Sequence, residues 1–128
     1  MGQPVVHFEI IGADPGRLRE YYGEMFGWTF NDDAPIAPLS SETGQYSFID
    51  TMRTAESIGI PGGIGGGGGF ASRALFYVGV PDVEAALQNA ERLDGTRIMG
   101  PAANPNGKIM VGQFADIEGN LVGIAGPC

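Results

Sequence analysis

Chemistry in this chain has one obvious starting point, His7, its sole histidine. His7 sits in Pro4-Val5-Val6-His7-Phe8-Glu9-Ile10-Ile11, an apolar and largely β-branched run of the kind that forms a strand. Period-two alternation places Val5, His7, Glu9 and Ile11 on one face and Val6, Phe8 and Ile10 on the other. Glu9 then stands about 6.6 Å along the strand from His7. A carboxylate there would orient the imidazole and raise its pKa, which makes His7 a candidate general base with Glu9 as its partner. The same residue serves equally as a histidine that hydrogen-bonds within a sheet and does no chemistry. Nucleophilic catalysis finds no support: no G-x-S-x-G occurs, and Ser40, Ser41, Ser47, Ser57 and Ser72 have no second histidine to serve them. Cys128, the single cysteine and last residue, makes neither a disulfide nor a thiolate cluster.

Two further stretches invite a chemical reading and fail it. Gly62 to Gly69 reads GGIGGGGG, but Phe70 and Ala71 follow where a phosphate-binding loop needs Lys and Ser/Thr. No dinucleotide fingerprint joins a strand to a helix either. The run is expected to be a short glycine strand passing into a flexible linker, Gly65 to Gly69. Asp32-Asp33 lacks the spaced oxygen ligands of a calcium loop and reads as solvated charge.

The 128 residues suit one domain, and 43% hydrophobic content supports a core. The net charge of -8, from 15 acids against 7 bases, opposes binding to nucleic acid or to an anionic membrane surface, and suits a cationic small ligand. No apolar run approaches the roughly 20 residues of a spanning helix. No leader pattern opens the sequence, so a cytoplasmic protein is expected.

The elements that must position His7 follow from caps and periodicity. Asp14-Pro15 starts a helix that Gly27 ends, with Leu18, Tyr21, Tyr22, Met25 and Phe26 forming an apolar stripe expected to be core. Trp28-Phe30 and Gln45-Asp50 read as strands, separated by a loop from Asn31 to Ser41; Thr51 to Pro61 reads as another loop. The opening then repeats: Ala74 to Val80 is a strand, and Pro81-Asp82 starts a helix with Val83, Ala86, Leu87, Ala90 and Leu93 on one side and Gly95 closing it. Strands follow at Thr96-Met99, Lys108-Ala115 and Leu121-Ala125, with a turn-rich loop from Pro101 to Gly107 and a turn at Asp116-Ile117-Glu118-Gly119-Asn120. Aligning His7-Phe8 with Leu75-Phe76 brings the halves into register, and each half reads strand, helix, three strands.

The opening VVHFEIIGADPGRLREYYGEMFGW, the echo LFYVGVPDVEAAL and the tail FADIEGNLVGI together resemble the vicinal oxygen chelate superfamily, which includes glyoxalase I, bleomycin-resistance proteins and extradiol dioxygenases. The resemblance covers nearly the whole chain and is nearest to small glyoxalase-like proteins. It implies an α+β fold: two βαβββ modules whose mixed sheets curl around a cleft. On this reading residues 1–128 form a single domain, module one being 1–66 and module two 70–128, joined by the glycine-rich linker. A homodimer is also implied.

In metalloenzyme members, the resemblance implies, a divalent metal is held from the first and last strands of each module. Those positions fall on His7, on a residue within Gly62 to Gly66, on Leu75 and on Gly123, so only His7 offers a donor. Glu9 is a conceivable second ligand. A catalytic metal needs about three protein ligands and an open position, and no metal or other cofactor is therefore expected. By alternation the cleft-facing set is Val5, His7 and Glu9 in module one and Leu75, Tyr77, Leu121, Gly123 and Ala125 in module two. Tyr46, Phe48, Met110, Gly112, Gln113 and Phe114 belong to strands whose faces the pattern leaves open, and are candidates to join it. The expected function is binding of a small organic molecule in an apolar cleft with a few polar groups, on the pattern of the bleomycin-resistance members. The alternative is lyase, isomerase or dioxygenase chemistry using His7 with Glu9. A third class, an interaction protein with a vestigial cleft, would respond to no ligand.

Overall fold

A computed structural model of the chain describes residues 2–31, 39–42, 44–50, 54–105 and 107–128. Asp32-Asp33 and residues 51–53 of the Thr51–Pro61 loop lie outside the described residues. In chain order the elements are β1 (Val5–Gly12), α1 (Pro15–Phe26), β2 (Phe30–Asn31), β3 (Ser47–Ile49) and β4 (Gly62–Gly66), followed by β5 (Arg73–Gly79), α2 (Val83–Arg92), β6 (Thr96–Ala103), β7 (Ile109–Ala115) and β8 (Leu121–Pro127). The order strand, helix, three strands thus occurs twice, and the fold is α+β. Contacts divide the chain into two units: residues 7–74, and the residues up to Val6 together with Leu75–Cys128. Among the described residues no helix is long and apolar enough to cross a membrane.

In the unit of residues 7–74 the strand order is β2-β3-β4-β1. β1 and β4 run parallel, and β3 pairs antiparallel with both β4 and β2. Asp14 caps α1 by accepting from the Arg17 amide at 3.1 Å, and Gly27 ends the helix at φ 70, a left-handed conformation that costs glycine least. The apolar stripe of α1 is not core. Pro15 is its only buried residue, while Tyr21, Met25 and Phe26 are 58%, 56% and 57% exposed. Beside the helix, β2 is two residues long and β3 three, so its later turns have little sheet to pack on. Tyr22 instead stacks on Phe26 and Trp28, with centroids at 6.0 and 5.4 Å.

The glycine run also departs from expectation. Gly65 and Gly66 are not linker: β4 extends through Gly66, and all five of its residues are buried. Gly66 adopts φ 124 with its backbone pressed on that of Gly12, where no other residue fits. Only Gly67 to Gly69 connect onward, and they begin in a turn closed from the Phe70 amide to the Gly67 carbonyl at 3.0 Å.

In the other unit the order is β5-β8-β7-β6, with β5 parallel to β8 and the remaining pairs antiparallel. Asp82 caps α2 by accepting from the Ala85 amide at 3.0 Å. Val83 and Leu87 of α2 pack with Val80 and Ile124, and Val78, Ala86, Met110 and Phe114 close around them. Leu93, expected on this apolar side, is 56% exposed and serves as the C-cap. The residue with positive φ after α2 is Asp94, not Gly95. A side chain at Gly95 would meet the Ala115 and Ala90 carbonyls, so that glycine answers to close approach rather than to helix termination. β6 runs past Met99 to Ala103, through the cis Gly100-Pro101 peptide and two register shifts. It is the edge strand of this unit, where a proline without an amide is tolerated.

Candidate functional site

The site is built outward from β1. The pairing of β1, β4 and β3 sets Glu9, Gly63 and Phe48 in one row, since Glu9 aligns with Gly63 and Gly63 with Phe48. His7, Glu9 and Ile11 therefore share the face away from α1 with Gly63, Gly65, Tyr46 and Phe48, as residues two apart point the same way. Phe8 projects to the opposite face, where it fills the space beside Gly62 and meets Trp28 at 5.7 Å.

On the His7 face, the Tyr46 ring lies across Gly65 and Gly63. Its hydroxyl shares a hydrogen bond with His7 Nε2 at 3.0 Å. Phe48 stands edge-on to both rings, with centroids 5.9 Å from His7 and 5.6 Å from Tyr46. Tyr46 is buried, as is Glu9 at 1% exposure, whereas His7 and Phe48 are half-buried. Ser41 secures the far end by accepting from the Gly66 amide at 2.9 Å. Burial lowers the His7 pKa from 6.5 to about 4. This reverses the expectation of a carboxylate-raised imidazole: loss of hydration outweighs any help from Glu9, and the ring is neutral near pH 7.

In the unit containing α2, Tyr77, Gly123 and Gln113 form the equivalent row. Gln113 Nε2 donates to the Tyr77 hydroxyl at 2.9 Å, and both residues are buried, as is Leu75; Leu121 is half-buried. Met110, Gly112 and Phe114, candidates for the ligand-facing set, lie on the other face. A side chain at Gly112 would meet Leu87 and Val83, and Met110 and Phe114 pack into the core beneath α2. Phe114 also lines a hollow of about 340 Å³ there, with Val78, Val80, Ala86 and Ile124.

The positions that the resemblance assigns to a metal do not form a chelating set. Among the described residues no three His, Cys, Asp or Glu side chains come together as a metal-binding group. The Nε2 of the one histidine is engaged by a phenol. A divalent ion needs about three protein donors in one place, and these residues do not fit one.

The partnership of Tyr46 with His7 went unread in the sequence. Its signal is the pair Tyr46 and Phe48, alternate aromatics in the strand region opposite a glycine strand. Side-chain-free positions at 63 and 65 let a ring lie flat across the backbone.

No curated protein matches the sequence. Among solved structures, a variant of Streptomyces coelicolor methylmalonyl-CoA epimerase in complex with 2-nitronate-propionyl-CoA is similar with a TM-score of 0.64 at 11% identity, over 98% of each chain. Methylmalonyl-CoA epimerase from Mycobacterium tuberculosis gives 0.59 at 12% identity, over 97% of this chain and 87% of that one. A glyoxalase/bleomycin resistance protein/dioxygenase superfamily member from Vibrio splendidus gives 0.59 at 14%, over 98% and 99%. These likenesses establish the fold. Residues 5–124 match the family described as Glyoxalase/Bleomycin resistance protein/Dioxygenase superfamily, and the chain belongs to that superfamily.

Proposed function

We propose that this chain binds a small organic molecule without a resident divalent metal, using the helix-distal face that carries His7. The observation that carries this reading is the His7–Tyr46 hydrogen bond of 3.0 Å on a platform of glycines. It commits the one imidazole to a phenol, at a place where the neighbouring last-strand positions have no donors. Half-buried His7 and Phe48 then offer an aromatic and hydrogen-bonding surface, the usual make-up of a small-molecule site. The balance of acids over bases suits a cationic aromatic guest. The test has two parts. Elemental analysis of purified protein is expected to find zinc, nickel, manganese and iron all well below one per chain, and one tightly held metal per chain would overturn the reading. A thermal-shift screen of cationic and neutral aromatics should then raise the melting temperature for at least one compound, because only native-state binding stabilises.

A second reading is metal-free isomerase chemistry. It is favoured by one observation, a neutral imidazole and a buried carboxylate, Glu9, on the same face two residues apart. The epimerases among the structural neighbours are compatible with it. Replacing His7 with alanine separates the two: an isomerase loses turnover while retaining affinity, whereas a binder loses affinity.

A further inference from the structure

Each unit covers the middle of its last strand with a tyrosine, and it does so in opposite directions. In residues 7–74, the ring begins at Tyr46 just before β3, crosses Gly65 and Gly63 of β4, and reaches His7 on β1. In the unit of α2, the ring begins at Tyr77 on β5, crosses Gly123 of β8, and reaches Gln113 on β7. β4 lies between β3 and β1, and β8 between β5 and β7. The central strand of each trio is thus strapped by a phenol that starts on one neighbour and is pinned by a hydrogen bond to the other, at 3.0 Å and 2.9 Å.

We propose that Tyr46 and Tyr77 are specificity-determining straps, which close the last-strand positions Gly63 and Gly123 to any side chain and so exclude a metal donor there. A Cβ on Gly63 would strike the Tyr46 ring and its hydroxyl. One on Gly65 would strike the same ring and come within 2.8 Å of Ser41 Oγ. One on Gly123 would lie 2.7 Å from Tyr77 Cγ and nearer still to the ring carbons beyond. The obstacle is a buried ring held at both ends, not the tip of a mobile chain, so it yields only by breaking its hydrogen bond or leaving its rotamer. A donor at Gly63, Gly65 or Gly123 is therefore shut out for a reason of volume, and one substitution cannot regain it. What the straps leave is a phenol–imidazole pair in one unit and, separately, a phenol–amide pair in the other. These groups recognise hydrogen-bonding partners rather than chelate an ion. The proposal stands on packing inside each unit, and a failure to find any ligand would leave it intact.

The test is a double-mutant cycle on full-length protein. Gly63→Ala and Gly123→Ala are expected to lower the melting temperature by about 5–10 °C, as overpacking does. Gly68→Ala, which has nothing within 4 Å of its added methyl, should leave it unchanged. On a Tyr46→Leu background Gly63→Ala should cost little, and likewise Gly123→Ala on Tyr77→Leu. Folding of these doubles where the single glycine variants fail to fold supports the straps equally. Gly63→Ala should also shift the His7 ring resonances, because the methyl must displace the hydroxyl that His7 holds. Equal cost of the added methyl with and without the ring, or unfolding of both single and double variants, would overturn the proposal.

Discussion

Whether His7 carries a charge decides what this face can do, and burial decides it. The folded imidazole has a pKa of about 4, against 6.5 when unfolded. Between these values the unfolded chain binds a proton that the folded chain refuses. Stability therefore falls as the pH drops from about 6.5 towards 4, and this group contributes no further change below that. The difference corresponds to about 3–4 kcal/mol at most. NMR of the single imidazole should show no titration between pH 6 and 8, and the loss on acidification should shrink in His7→Asn. A midpoint at or above 6, or a pH profile unchanged by the substitution, would contradict this account. The candidate residue was legible in the sequence, since His7 is the only histidine. Its charge was not. The sequence shows Glu9 two residues away, but not that desolvation outweighs it, nor that the partner of Nε2 is Tyr46, far along the chain.

Helix α2 illustrates what periodicity can and cannot tell. Val83, Ala86, Leu87, Ala90 and Leu93 repeat at one helical spacing, yet Leu87 is fully buried and Leu93 is 56% exposed. The difference comes from the strands below. Gly112 of β7 leaves a hollow that Leu87 enters, while Leu93 has already left the helix as its C-cap. Leu87→Ala should therefore cost about 3 kcal/mol in urea unfolding, and Leu93→Ala less than about 1 kcal/mol. Equal costs would mean that the stripe, not the seat beneath it, governs packing. Helix starts were legible because Asp14 and Asp82 cap through their own side chains, a local event. The buried faces of α1 and β7 were not. Every residue of the α1 stripe is apolar whether or not a strand lies opposite. β7 is apolar on both sides, so Met110 and Phe114 could not be told from ligand-facing residues until Gly112 and Gln113 fixed the alternation. The sequence predicts β6 only to Met99, ahead of Pro101; a sheet edge tolerates the proline, and the strand runs on to Ala103.

At the scale of the molecule, element order and contact grouping are separate properties of the chain. The order repeats after the glycine run, while contacts join the residues up to Val6 to Leu75–Cys128. Among the interactions that join them, the Gly79 amide donates to the Pro4 carbonyl at 2.8 Å. Val6 packs beside the same glycine, 3.1 Å from where a Cβ would stand. Proline suits the acceptor position because it offers a carbonyl and needs no partner for an amide. The next amide, of Val80, is held by Ala125 of β8 at 2.9 Å, so the opening residues extend a sheet edge already anchored from within its own unit. A chain beginning at Val5 should keep its fold and lose this acceptor. Its Gly79 amide should then exchange with solvent several-fold faster, as expected from the loss of a hydrogen bond worth about 1 kcal/mol. The β4 amides of Gly63 to Gly66, in the other unit, should exchange at an unchanged rate. Faster exchange in both units would mean that the opening residues support the whole chain. An unchanged Gly79 would mean that the hydrogen bond to Pro4 is not what protects it.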